Sequence, residues 1–531
     1  MLWTKRHSKR KNSVTMAKEG ALGRLAKDTA WYGLSTILGR LINWLLVPFY
    51  VRVLATTGEY GVVTNLYAWT ALLLVILTYG METGFLRFAN KAEEDSRKVY
   101  YSSMQLLAIT STLFVVLATI LRRDLAHWMG IGTQYASLVI MLAFIVASDA
   151  FMSIPYAYLR FRKRAVRFAV IKLSFVVVNV LLNLFFLLLC PYIYRTAPEA
   201  ISWCYRPDWS VEYIFVSNLI ANAVVFALLI PTMCEAGRGN GGGWQLMKRM
   251  LGYSLPLLLL GIAGIFNQMA DKILFPLLYH DPNEAMNQLG IYGACFKIAV
   301  VMMLFTQAFR YAFEPFFFEK GSGADEEQTR KDNLASVMHY FWIFMLWIFL
   351  AVVAAMPILK HIVVSDYYPG LKVVPLVMWG EMMIGIALNL STWYKLTDRT
   401  LWGAIISLLG CMIGVVIIVL GVPRYGFMAC AWAVALSNTL MVLISYILGQ
   451  KYYPVAYNIK GGLLYLLFAA VLYGALILSD RYAAVLGVAH WVMNILVVLL
   501  FGFVAFYKEA PLRHALQRIK QKVKKYGRRE G

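Results

Sequence analysis

Stretches of about twenty apolar residues recur fourteen times along this chain. A helix of that length, at about 1.5 Å per residue, spans the roughly 30 Å hydrocarbon core of a bilayer. The runs fall near 28–54, 60–88, 99–121, 133–158, 168–190, 210–233 and 250–278, then 289–318, 333–356, 371–396, 401–420, 427–449, 461–478 and 488–506. Lipid offers no partner to a backbone N–H or C=O, so each run must satisfy its own hydrogen bonds and is expected to be helical. The fold class that follows is an all-α polytopic membrane protein with about 14 transmembrane helices. Composition agrees, since 60% hydrophobic and 15% charged residues leave far more apolar surface than a soluble domain hides.

The net charge of +22 raises the question of a nucleic-acid partner, but the basic residues lie in connectors and tails, which is how membrane proteins carry them. No nucleic acid is expected. With a cytoplasmic N-terminus, 36 of the 50 Lys and Arg fall on the cytoplasmic side, nine on the outer side and five (Arg40, Lys172, Lys272, Lys297, Arg310) inside runs. Arg160, Arg162, Lys163, Arg164 and Arg167 dominate the inner connectors. A multi-pass inner-membrane protein with both termini cytoplasmic is the expectation. The first run is long enough to span and lacks a small-residue cleavage site, so it serves as its own insertion signal; Met16 opens a plainer leader and is an alternative start. The basic tail after residue 506 is expected against anionic headgroups. Six cysteines form no CxxC pair and the seven histidines show no ligand spacing, so no metal and no cofactor are expected, only proton or sodium coupling. Cys190 and Cys204 flank one outer connector, but read better as isolated small residues at helix ends.

The chain repeats itself. At an offset of 228, Gly33, Ile37 and Pro48 fall on Gly261, Ile265 and Pro276; at 232, Tyr60, Gly61, Tyr79, Glu82 and Phe85 fall on Tyr292, Gly293, Tyr311, Glu314 and Phe317. Six runs per half give both halves one orientation, as in parallel repeats about the membrane normal. The organisation read from this is a basic leader (1–27), two pseudo-symmetric six-helix lobes (28–233 and 250–449) joined by a glycine-rich linker (234–249), two additional helices (461–506) and a basic tail (507–531). The linker glycines do not make a phosphate loop, because no strand precedes them and no GK[ST] follows.

Charges inside spanning helices are costly and face a cavity or one another. In the first run Gly33, Thr36, Arg40, Asn43 and Val47 share a face, with Arg40 about 18 Å deep. The seventh run repeats this face with Gly261, Gly264, Gln268, Asp271 and Phe275, and Lys272 beside it. Lys297, Asp149 and Glu381 are further candidates for a cavity or for ion coupling, Glu381 heading a stripe with Gly385, Asn389 and Thr392. Glu82, Arg87, Arg310 and Glu314 stand nearer the cytoplasmic ends and are candidates for an inner mouth. Beside each stands a structural reading: Asp271 with Lys272, or Lys297 with a carboxylate, as helix-bridging ion pairs, and Lys172 as a snorkelling side chain.

The stretch 25–90, with GRLINWLLVPFY followed by GEYGVV, resembles the first two helices of bacterial polysaccharide-biosynthesis flippases of the multidrug, oligosaccharidyl-lipid and polysaccharide exporter superfamily. That resemblance implies two lobes around a central cavity, alternating access, action as a monomer, and an undecaprenyl-pyrophosphate-linked oligosaccharide as substrate, such as an O-antigen or capsule repeat unit. It implies no enzymatic activity. It also implies a substrate site at Arg40, Asn43, Lys272, Lys297 and Gln268, with Arg40 gripping the diphosphate as a bidentate donor. The last two helices are implied to form a groove for the lipid tail. The competing readings are an exporter of drugs or lipid-linked peptidoglycan precursor from the same superfamily, and a membrane glycosyltransferase, ligase or polymerase. The short outer connectors argue against the enzymes.

Overall fold

The computed structural model describes residues 38–39, 41–42, 44–91, 94–235, 243–317 and 324–509. Its regular elements are all helical, and thirteen spans among the described residues are long and apolar enough to cross a membrane. The first run contains α1 (Val47–Val53); residues 28–37, 40 and 43 of it, with the basic leader and the chain after 509, lie outside the described residues. There follow α2 (Thr57–Thr78), α3 (Met81–Ala89), α4 (Ser96–Ile120), α5 (Ala136–Phe161), α6 (Ala165–Leu184), α7 (Val211–Glu235) and α8 (Gly243–Leu278). Then come α9 (Pro282–Phe317), α10 (Ala324–Ala354), α11 (Val374–Leu390), α12 (Thr400–Tyr425), α13 (Phe427–Tyr452), α14 (Ile459–Arg481) and α15 (Val488–Lys508).

Several helices outrun the apolar ruler. α8 begins seven residues before the apolar run, because Leu246 and Met250 bury one side of an interfacial turn while Lys248 and Arg249 face out. The second run breaks in two: Tyr79 and Gly80 take left-handed φ angles of 35° and 71°, and α3 leaves at a new angle. Gly80 meets the Ser254 carbonyl there, where a Cβ would stand 3.0 Å from the oxygen. All six cysteines are free thiols, Cys190 and Cys204 included.

The chain packs as two compact units, one of residues up to Ala294 with Cys411–Ala433, the other of Cys295–Gly410 with the chain from Val434 onward. In the first unit Met81, Phe85, Leu107, Ile154, Ala157, Leu246 and Met250 interlock α3, α4, α5 and α8. Tails of lipid are as apolar as leucine, so this packing draws on close van der Waals fit and on interhelical hydrogen bonds. The second unit uses both. His490, Asn494, Val497, Phe501 and Ala505 recur every third or fourth residue and form the buried stripe of α15. Asn494 Nδ2 donates to Ala354 O at 3.0 Å and Trp342 Nε1 to Gly462 O at 2.9 Å, fastening α14 and α15 to α10. Leu467, Val471, Leu499 and Phe503 on these last two helices are exposed, as a lipid-facing surface requires.

Candidate functional site

At one end of the first unit the helix termini gather the basic connectors. Glu82 on α3 pairs with Arg160 at the end of α5, and Glu235 at the end of α7 takes Arg164 and, at 3.0 Å, Arg167. Arg249 on α8 reaches Glu94 at 2.7 Å, and the Arg87 guanidinium lies 4.1 Å above the Tyr253 ring. Three alternate connectors, α3–α4, α5–α6 and α7–α8, thus sit on one side, as an up-and-down bundle requires. Glu82 and Arg87, read as mouth residues, both stand at this basic end. Arg310, in the part of α9 that belongs to the second unit, is half-buried and engaged; Glu314 follows it, with its side chain outside the description.

Deeper, Asp149 occupies the middle of α5 and is half-buried. It lies beside Lys172 of α6 and Asn222 of α7. The Lys172 ammonium stands 4.3 Å over the Tyr156 ring. Lys172 belongs to the buried arc of α6 while being exposed itself. It is four residues from Phe168 and from Val176 and seven from Asn179, all buried, whereas the exposed Val166, Val170, Val177 and Leu181 mark the opposite arc of α6. Towards the other end the polar track continues: Tyr50 Oη donates to Asn183 Oδ1 at 3.0 Å, Asn183 Nδ2 donates to Asn179 Oδ1 at 3.2 Å, and Asn218 neighbours Tyr67. A π-helical turn at Phe185–Leu189 follows directly.

The second buried cluster centres on Asp271 and Lys272 of α8, 3% and 7% exposed. Asp271 Oδ2 receives the Lys272 ammonium at 2.8 Å and the Tyr292 hydroxyl at 2.6 Å, and Oδ1 receives the Lys272 amide at 2.9 Å. Asn65 Nδ2 donates to the Lys272 carbonyl at 2.9 Å. This is a closed, charge-balanced knot joining α2, α8 and α9. Higher on the same face Gln268 is exposed and Gly264 has open space beside it.

Arg40 and Asn43 lie outside the described residues. In the second unit Lys297 is half-buried and engaged, and Glu381 is buried and engaged. Glu381's stripe is a helix contact: a Cβ on Gly385 would stand 2.4 Å from the Phe341 ring. Sequence reasoning that followed charges missed the amides. Asn179 with Asn183, and Asn218 with Asn222, are spaced one turn apart on facing helices, and that i, i+4 repetition was the available signal.

A sequence model for the family described as "Polysaccharide biosynthesis protein" matches residues 25–319, more than half of the 531. The chain belongs to the polysaccharide biosynthesis protein family. All the candidate residues except Glu381 fall inside the matched segment. No curated protein sequence matches the chain. Among solved structures, the lipid II flippase MurJ in an inward closed conformation superposes with a TM-score of 0.67 at 14% identity, covering 90% of this chain and 99% of its own. An inward-facing multidrug resistance MATE family transporter of the MOP superfamily gives 0.59 at 11% identity, covering 80% and 97%. The MATE multidrug transporter DinF-BH in complex with R6G gives 0.56 at 14%, covering 80% and 95%. This member of the polysaccharide biosynthesis family is a multi-pass membrane protein with the fold those exporters share.

Proposed function

We propose that this protein flips an undecaprenyl-pyrophosphate-linked oligosaccharide from the cytoplasmic to the outer leaflet by alternating access, as a carrier and not an enzyme. The family match over residues 25–319 carries the reading, and the fold shared with a lipid II flippase supports it. Chemistry points the same way. A diphosphate and a glycan cannot cross hydrocarbon unaided, and a basic side chain held at membrane depth offers the diphosphate its counter-charge. Arg40 is the first ligand in this proposal, with Asn43, Gln268 and Lys297 as the further candidates. Lys272 joins them only by leaving Asp271, which holds it at 2.8 Å.

Export of drug cations is the second reading, favoured by the MATE-like fold and by carboxylates at Asp149, Asp271 and Glu381. Two of those carboxylates already have a lysine beside them, which weakens their pull on a cationic drug. Arg40→Ala at matched membrane abundance is expected to abolish surface glycan, and Arg40→Lys to retain part of it, because an ammonium cannot reproduce the two-pronged guanidinium contact. Normal glycan export by Arg40→Ala, with unchanged binding of the lipid diphosphate to purified protein, removes Arg40 from the site.

A further inference from the structure

In the second unit the turn between α11 and α12 meets the end of α13 in a stack of flat side chains. Trp393, in the short helix Thr392–Leu396, is buried and held from two sides: its Nε1 donates to Ser445 Oγ at 3.2 Å, and a Cβ on Gly449 would stand 3.0 Å from the indole. The Tyr452 ring lies nearly parallel to that indole, with centroids 5.8 Å apart and planes 18° apart. Trp402 flanks Tyr452 at 6.0 Å. The Arg399 guanidinium rests 4.3 Å from the centroid of the Tyr452 ring, and the Lys451 ammonium stands 5.7 Å from it. Arg399 and Lys451 are exposed, and among the described residues neither has a carboxylate at ion-pair distance or a side-chain hydrogen bond. Stacking engages the flat face of a guanidinium and leaves its in-plane N–H donors available, so Arg399 presents an oriented fork beside a second positive charge.

Beside the stack the surface is apolar. Leu436, Leu440, Leu443 and Ile447 recur every third or fourth residue along α13, all exposed, and Lys451 follows one turn on in the same stripe. On α12 Leu401 and Leu408, seven residues apart, are exposed as well. The two helices adjoin, since Gly410 of α12 packs on Met441 of α13 with no room for a Cβ. An anion that fits this place carries apolar chains of its own. We propose that Arg399 and Lys451 bind the phosphate of an acidic phospholipid whose acyl chains lie along the exposed stripes of α12 and α13. The acidic headgroup is preferred because a zwitterionic one brings a cation that the unneutralised Arg399 and Lys451 repel. The site shares no residue with the proposed diphosphate ligands Arg40, Asn43, Gln268 and Lys297, and it stands whether or not the flippase reading does.

Native mass spectrometry of the purified full chain reads which lipids stay bound. Phosphatidylglycerol is expected to be retained several-fold more tightly than phosphatidylethanolamine with the same acyl chains. Arg399→Ala is expected to weaken phosphatidylglycerol about tenfold, as the loss of one charge-assisted contact does, and to leave phosphatidylethanolamine unchanged. Arg399→Lys is expected to recover part of the loss. Because both side chains are exposed, Arg399→Ala/Lys451→Ala is expected to melt like wild type in lipid-free detergent. Added phosphatidylglycerol is expected to raise the midpoint of wild type and not that of the double variant. Arg195→Ala, which removes an exposed cation of the 191–209 connector, is the control and is expected to bind like wild type. Equal retention of the two phospholipids by wild type, or an undiminished preference in the double variant, overturns the proposal. Displacement of the lipid by glycerol phosphate alone also overturns it, by making the site one for free anions. So does a polyprenyl diphosphate held more tightly than phosphatidylglycerol and lost with Arg399, which assigns the site to the transported lipid.

Discussion

Asp271 and Lys272 show how differently two adjacent charges can be used from what their isolated cost suggests. Each would be expensive alone in the membrane, yet together with Tyr292 and Asn65 they form a knot inside one unit. Breaking such a pair by removing one partner costs about 3–5 kcal/mol, while removing both with shape kept is near neutral. Lys272→Met is therefore expected to lower the thermal midpoint in detergent and the membrane abundance, and Asp271→Asn/Lys272→Met to recover most of both. Equal losses in the single and double variants would contradict the knot. The residues of this knot were legible in part. Charge in an apolar run announced Asp271 and Lys272, but Tyr292 and Asn65 carry no charge and gave no such signal. Their roles depend on which helices become neighbours, and apolar periodicity is silent on that.

Helix existence and order were legible almost completely, because a span of about twenty apolar residues has no alternative conformation in lipid. Ends were not, since the ruler sees only the apolar part of a helix; α8 starts at Gly243 and α9 at Pro282, both in polar sequence. What the repeat did mark is a contact. Gly61 and Gly293, equivalent at an offset of 232, both sit on the crossing of α2 with α9. A Cβ on Gly61 would stand 1.9 Å from the Met286 carbonyl oxygen, one on Gly290 would stand 1.8 Å from that of Thr57, and Thr57 Oγ1 bonds Asn287 Oδ1 at 3.1 Å. Gly61→Ala must push the backbones apart and is expected to destabilise by about 1–3 kcal/mol, the usual cost of overpacking. Gly252, in the same unit with nothing within 4 Å of its would-be Cβ, is the control. Gly252→Ala is expected to leave the melting midpoint unchanged or raise it, and a drop as large as that of Gly61→Ala would show that the crossing is not tight.

At the scale of the whole molecule the sidedness of the bundle is the property most directly written in charge. The structure draws Glu82, Glu94, Arg160, Arg164, Arg167, Glu235 and Arg249 to one end of the first unit, and at the other end it leaves the 191–209 connector with Trp203 84% exposed. The basic end is expected to be the one that insertion retains in the cytoplasm, since moving Lys and Arg across the membrane runs against both the potential and the cost of desolvation. Lys163, at the apex of the α5–α6 turn with a φ of 55°, and Trp203 are therefore opposite reporters. In a background with the six native cysteines replaced, Trp203→Cys is expected to react with a membrane-impermeant maleimide in intact spheroplasts. Lys163→Cys is expected to react only after lysis. The reverse pattern would invert the bundle and place the Glu82–Arg160 pair on the outer side. Sidedness thus fixes the face from which the proposed lipid-linked substrate enters, and the labelling experiment decides it before a transport assay is run.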